Sequence, residues 1–133
     1  MAIIMENKAP SILIIEDDNR NIFALSLVLK SKGYGCLAAT SAKEGMALLE
    51  DFPGLAIVLL DMMIPEVDGY EAIDLLRKVP GRESLPIIAV TAQAMPGDAE
   101  KCLAAGANAY VSKPIDVDLL LGLLVGFLKQ NLS

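Results

Sequence analysis

Two acids stand together at Glu16-Asp17, a third at Asp61, a hydroxyl at Thr91 and an ammonium at Lys113. Each closes an uncharged, β-rich run, so each is predicted at the carboxyl end of a strand. In a parallel sheet those ends share one edge. Three converging carboxylates repel one another unless a hard cation lies among them, and oxygen ligands with positions left for water suit Mg2+. Lys113 adds a second positive charge and Thr91 a hydroxyl donor. Those are the groups needed to hold the equatorial oxygens of a phosphoryl group in transit. Asp61 is then the nucleophile and the product an aspartyl phosphate. Singly, each residue has a bland reading: a loop cap for Asp61, a solvated strand end for Glu16 and Asp17, a turn for Lys113 before Pro114, and strand propensity for Thr91. Only the grouping points to chemistry.

The run Gly54-Leu55-Ala56-Ile57-Val58-Leu59-Leu60 reaches Asp61 without a charge, which predicts a strand buried on both faces. In open α/β sheets ligands sit outside the carboxyl ends of such strands. Ser11 to Ile15, Tyr34 to Thr40, Pro86 to Val90 and Ala109 to Ser112 read as the other strands. Between them, helices are predicted from Asn21 to Lys32 with Gly33 as the stop, from the capping box Ser41-Ala42-Lys43-Glu44 to Asp51, from Tyr70 to Val79 behind the cap Asp68, and from Gly97 to Ala105. A last helix runs from Asp116 to Asn131. Alternating strands and helices without a break in composition predict a parallel sheet with helices on both faces. Residues 1–10 read as a lead-in and 11–131 as one domain.

Composition narrows the function. At 133 residues there is room for one core, and 54% hydrophobic against 21% charged residues excludes a disordered chain. A net charge of −6 argues against a nucleic-acid surface. Cys36 and Cys102 form no C-x-x-C pair, so reduced thiols in a cytoplasmic protein are expected. Ala2-Ile3-Ile4-Met5 is too short for an export signal, and Val117 to Leu128, interrupted by Asp118, Gly122 and Gly126, is too short to span a bilayer. No membrane or nucleic-acid partner is expected.

Four segments then carry a resemblance: Ile15-Glu16-Asp17-Asp18, Leu60-Asp61-Met62-Met63-Ile64-Pro65 with Asp68-Gly69, Val90-Thr91-Ala92, and Ser112-Lys113-Pro114. In order and interval they resemble the motifs of response-regulator receiver domains of two-component signalling, and residues 86–116 are most similar to receivers of hybrid histidine kinases. The resemblance covers residues 11–131. It implies a doubly wound (βα)5 flavodoxin-like sandwich with five parallel strands in the order 2-1-3-4-5. It further implies Mg2+ held by Asp17 directly, by Glu16 mainly through a water, by the Asp61 carboxylate and by the backbone carbonyl of Met63.

From the same resemblance, Thr91 and Tyr110 form the switch and Lys113-Pro114 is cis. The phosphodonor is a phosphohistidine on a histidine kinase or phosphotransfer protein. The chain catalyses only its own phosphorylation and dephosphorylation, and so is not an enzyme with turnover. The face built by the fourth helix, fifth strand and fifth helix changes its affinity for a downstream protein. Met63 and Gln93 set the phosphate lifetime, and since neither is a carboxylate the lifetime is expected to exceed that of the quickest family members.

Rival readings meet specific obstacles. A flavodoxin-type electron carrier needs a phosphate-binding first loop, and Glu16-Asp17-Asp18-Asn19 would repel a phosphate. A phosphatase of the haloacid-dehalogenase kind needs a second acid two residues after its nucleophile, where this chain has Met63. A receiver-like docking module that works without phosphorylation is the alternative. The last helix carries a core stripe of Val117, Leu120, Leu121, Leu124 and Leu128, and a second stripe of Leu119, Leu123 and Phe127, expected to be partly exposed and to serve a homodimer or partner contact.

Overall fold

The computed structural model describes residues 9–92 and 95–130. Strands and helices alternate as β1 Pro10–Ile15, α1 Asn19–Ser31, β2 Gly35–Ala39, α2 Ala42–Asp51, β3 Ile57–Asp61, α3 Gly69–Arg77, β4 Ile87–Thr91, α4 Asp98–Ala104, β5 Ala109–Ser112 and α5 Val117–Gln130. All four strand pairings are parallel and the order is β2-β1-β3-β4-β5, the doubly wound arrangement expected from the sequence.

The uncharged strands are explained by what covers them. Alternate residues of a strand point to opposite faces. Leu13, Ile15, Val58, Leu60, Ile87 and Ala89 therefore join the core under α2, α3 and α4. Their neighbours Ile12, Ile14, Ile57, Leu59, Ile88 and Val90 join the core under α1 and α5. With both faces sealed, no position in β3 or β4 remains for a solvated side chain.

Helix starts follow local chemistry. Asp18 adopts extended φ and ψ and accepts from the Arg20 N–H, so α1 opens at Asn19, two residues before the predicted start. Ser41 Oγ accepts from the Glu44 N–H at 3.1 Å, while the Glu44 carboxylate accepts from the Thr40 N–H at 2.7 Å, one residue before the usual partner of a capping box. Asp68 Oδ1 accepts from the Glu71 N–H at 2.8 Å, as its predicted capping role requires.

The bounds of β3 and α3 also differ from the sequence reading. β3 begins at Ile57 rather than Gly54 because the Leu55 N–H turns back to the Phe52 carbonyl, and only at Ala56, whose N–H donates to the Ser11 carbonyl, does the chain enter the sheet. α3 ends at Arg77, and Lys78 and Val79 close it with bonds to the Leu75 and Leu76 carbonyls. Asn131, the predicted end of the last helix, lies outside the described residues.

Candidate functional site

β1, β3, β4 and β5 end side by side, and the register fixes who meets whom. Asp61 is aligned with Val90, and Thr91 with Ser112. Lys113, one residue beyond β5, anchors its N–H on the Thr91 carbonyl at 2.8 Å. The Lys113-Pro114 bond is cis, as expected. From there the Lys113 ammonium reaches across the sheet edge, donating to Glu16 Oε1 at 2.9 Å and to Asp61 Oδ2 at 3.2 Å. Residues far apart in the chain are thus joined by one side chain.

Each carboxylate has a second anchor. Asp61 Oδ1 accepts from the Met63 N–H at 2.9 Å, and Glu16 Oε2 accepts from the Asp18 N–H at 3.1 Å. Asn21 Nδ2 stands 3.5 Å from Glu16 Oε1, a long contact the sequence reading did not include. Glu16, Asp61 and Thr91 are only 6%, 7% and 5% exposed, whereas Asp17 is open to solvent. Burial pushes the Glu16 carboxyl above its ordinary value, and the Asp61 charge adds to this, against the opposing pull of Lys113 and the Asp18 N–H. For Lys113, burial works against the charged form, but Glu16 and Asp61 outweigh it and the ammonium is held above its ordinary value.

The loop after Asp61 is held close to the sheet by packing. A Cβ on Gly69 would come within 2.7 Å of the Met62 Cα, so only glycine lets α3 start this near the strand end. Between them Glu66 takes a left-handed φ of 77°. Met63, whose backbone carbonyl was read as a metal ligand, exposes its side chain while its N–H holds Asp61.

Carboxylate oxygens of Glu16, Asp17 and Asp61 lie within 4.8 Å of one another. Among the described residues, three carboxylates face the one Lys113 ammonium, an excess of negative charge at a largely buried edge. All the donors are oxygen, one acid is solvent-facing and able to carry waters, and the spacing fits a hard divalent cation. The residues present therefore fit Mg2+.

Tyr110 packs half-buried against the core under α2, α3 and α4, and its hydroxyl is buried without a hydrogen-bond partner among the described residues. Burial raises its phenol above the ordinary value, and Asp98 and Cys102 contribute. Gln93 lies outside the described residues. Of the second stripe on α5, Leu119 is exposed, while Leu123 and Phe127 are half-buried against the core under α1 and α5. On that same side an apolar groove of about 600 Å³ runs between α1 and the segment from Lys113 to Val117 that leads into α5, floored by Ile14, Leu59 and Val90 and reaching Asp61 and Lys113 at its end.

Two arginines that the sequence reading passed over act at the opposite edge. The Arg77 guanidinium donates to the carbonyls of Glu83, Leu85 and Gly106 and to Asn108 Oδ1 at 2.5–3.2 Å. Arg82 donates to the carbonyls of Leu49, Phe52 and Leu55 at 2.6–3.2 Å. Both tie loops at the amino ends of the strands, and nothing in local sequence pattern marks an arginine as a binder of distant carbonyls.

Known proteins share both the sequence and the arrangement. Residues 12–124 match the family model described as the response regulator receiver domain. The polar-differentiation response regulator DivK of Brucella ovis is 37% identical over 108 residues, which is 80% of this chain and 86% of that protein. A 14.6 kDa protein of Leptolyngbya boryana is 39% identical over 106 residues, 79% of each chain. Among solved structures, the receiver domain of the sensor histidine kinase PA1611 of Pseudomonas aeruginosa, with magnesium coordinated in its active-site cleft, superposes with a TM-score of 0.80 at 32% identity, covering 90% of this chain and 98% of that one. No described helix is long and apolar enough to cross a membrane. A match that spans β1 to α5, borne on the same sheet order, makes this chain a member of the response regulator receiver family of two-component signalling.

Proposed function

We propose that this receiver accepts a phosphoryl group on Asp61 from a phosphohistidine of a histidine kinase or phosphotransfer protein. The observation that carries the reading is the Lys113 ammonium bridging Glu16 and Asp61 at a buried strand edge. The free lone pairs of an Asp61 oxygen attack phosphorus, the O–P bond forms as the N–P bond breaks, and the leaving imidazole takes a proton from solvent. Lys113 is placed to follow the phosphoryl oxygens as charge develops on them, and the Thr91 hydroxyl to donate to another. The Met63 N–H keeps the attacking carboxylate from rotating away. Asp17, Asp61, the Met63 carbonyl and, mainly through a water, Glu16 would hold Mg2+, which when bound would neutralise charge in the loose transition state. Water later attacks the aspartyl phosphate and resets the protein, and with no carboxylate at Met63 or Gln93 to orient that water, reset is slower than in the quickest family members.

The phosphoryl group brings new negative charge and acceptor oxygens to the edge occupied by Thr91. Drawing the Thr91 hydroxyl inward opens space into which Tyr110 repacks, and the α4-β5-α5 face presents a changed surface to a downstream protein. The chain acts in the cytoplasm and turns over no separate substrate. Intact-protein mass after incubation with Mg2+ and acetyl phosphate tests the reading. A phosphoryl adduct that needs Mg2+ and is absent from Asp61→Asn supports it. No adduct from either acetyl phosphate or a phosphohistidine donor would leave the docking-module reading.

A further inference from the structure

We infer that the outward face of α5 pairs antiparallel with α5 of a second copy of this chain. From Val117 to Lys129 the exposed residues of α5 are Asp118, Leu119, Gly122, Val125, Gly126 and Lys129. On a helix of 3.6 residues per turn they fall within about 120° of the circumference. Leu120 and Leu124 are fully buried, and Leu121, Leu123, Phe127 and Leu128 pack against the same core, so the core built by the described residues does not use the outward face. Yet that face carries two large apolar side chains, Leu119 and Val125, exposed by 52% and 54%.

Beside these knobs lie two hollows. A Cβ built at Gly122 or Gly126 meets nothing within 4 Å, so no contact among the described residues requires glycine at either position, although glycine weakens a helix interior. A two-fold axis passing between Leu123 and Leu124 sets Val125 of one copy against Gly122 of the other, and brings Leu119 to the hollow at Gly126 on the opposite flank. Each contact then occurs twice, as an isologous interface requires.

Charge fixes both the occupant and the direction. Asp118 lies in the first turn of α5 and Lys129 in the last. The same axis places Asp118 of each copy opposite Lys129 of the other, one ion pair at each end. A parallel pairing would set Asp118 against Asp118 and Lys129 against Lys129. The face is thus complementary to itself in one orientation only, and a second copy already carries the matching pattern. With 14 residues α5 is about 21 Å long, so the contact is small and the dimer forms only at high protein concentration.

Sedimentation equilibrium of the full, unphosphorylated chain over a concentration series tests this independently of any chemistry at Asp61. The expected result is a reversible monomer–dimer equilibrium. Asp118→Lys and Lys129→Asp each weaken it by about ten-fold or more, equivalent to about 1.4 kcal/mol, and combining them in one chain restores association. Gly122→Gln, at an open position where a better helix former replaces glycine, keeps the melting temperature and abolishes the dimer. A protein that stays monomeric into the millimolar range, a double charge reversal that fails to restore association, or a Gly122→Gln variant that dimerises like the parent would each overturn the inference.

Discussion

Replacing Lys113 by Met removes the only ammonium among the described residues within reach of two buried carboxylates while keeping a side chain of similar length. Glu16 and Asp61 each have 8% of their side chain exposed, and Lys113 has 24%. Removing one partner of a buried ion pair costs about 3–5 kcal/mol. Here part of that loss is recovered, because Lys113 is itself partly solvated and because Glu16, already raised, takes up a proton more readily. The expected cost is therefore about 2–3 kcal/mol at neutral pH in EDTA. Saturating Mg2+ stabilises wild type by binding the folded state, and stabilises Lys113→Met more, because the cation neutralises a cluster that has lost its ammonium. Urea unfolding followed by circular dichroism, with EDTA or with Mg2+, measures both differences. A cost below about 0.5 kcal/mol in EDTA, within the range of ordinary surface substitutions, or an identical cost with and without Mg2+, would refute the charge accounting on which the site is built.

Other outcomes separate chemistry from scaffold. Glu16 has a raised folded value, so its contribution to stability is full below its ordinary value of 4.5 and is lost as pH rises through the raised one. Metal-free wild type should accordingly lose stability relative to Glu16→Gln as pH climbs through that window, and a flat difference between the two melting curves would contradict the assignment. Gly69→Ala forces a Cβ against the Met62 backbone, which should cost about 1–3 kcal/mol and slow phosphoryl uptake by displacing the Asp61 loop, as read by intact mass against time. Arg77→Met breaks four hydrogen bonds at the far edge and should cost about 2–3 kcal/mol in urea unfolding while leaving the rate of adduct formation unchanged. Glu66→Gly relieves the left-handed φ of 77° and, after the added chain entropy of glycine, should gain about 0.5 kcal/mol.

The strands were legible because burial on both faces leaves no room for a charge, and the polar residues at their ends stood out against that silence. Asp61, Glu16 and Lys113 could be grouped before any coordinates because a parallel sheet carries all its carboxyl ends to one edge. What stayed hidden depends on contacts without a local pattern. Arg77 and Arg82 look like surface charges on or after a helix, and only the fold reveals the carbonyls they serve. Gly54-Leu55-Ala56 continues the hydropathy of β3, but the turn bond from Leu55 to Phe52 removes it from the strand. On α5 nearly every residue is apolar, so periodicity alone could not divide Leu123 and Phe127, which touch the core, from Val125, which does not.

The same features explain why such a site is suited to switching. A cluster of three carboxylates bridged by one ammonium is poised between a cation and a proton, and on the proposed function a phosphoryl group arriving at Asp61 would bring further charge to the same edge. The response has to be carried by a group whose present position is not strongly preferred. Tyr110 meets that condition: its hydroxyl is buried with no partner among the described residues, and leaving such a group unsatisfied costs about 1–3 kcal/mol. Thr91 stands in β4, the strand paired with β5, so on the proposed function a shift of its hydroxyl toward the phosphoryl group would be felt first where Tyr110 packs. Tyr110→Phe removes the unsatisfied hydroxyl and keeps the ring. It should stabilise the unphosphorylated protein by about 1 kcal/mol or more and uncouple partner binding from phosphorylation. A variant no more stable than wild type would show that the hydroxyl is not the source of the bias.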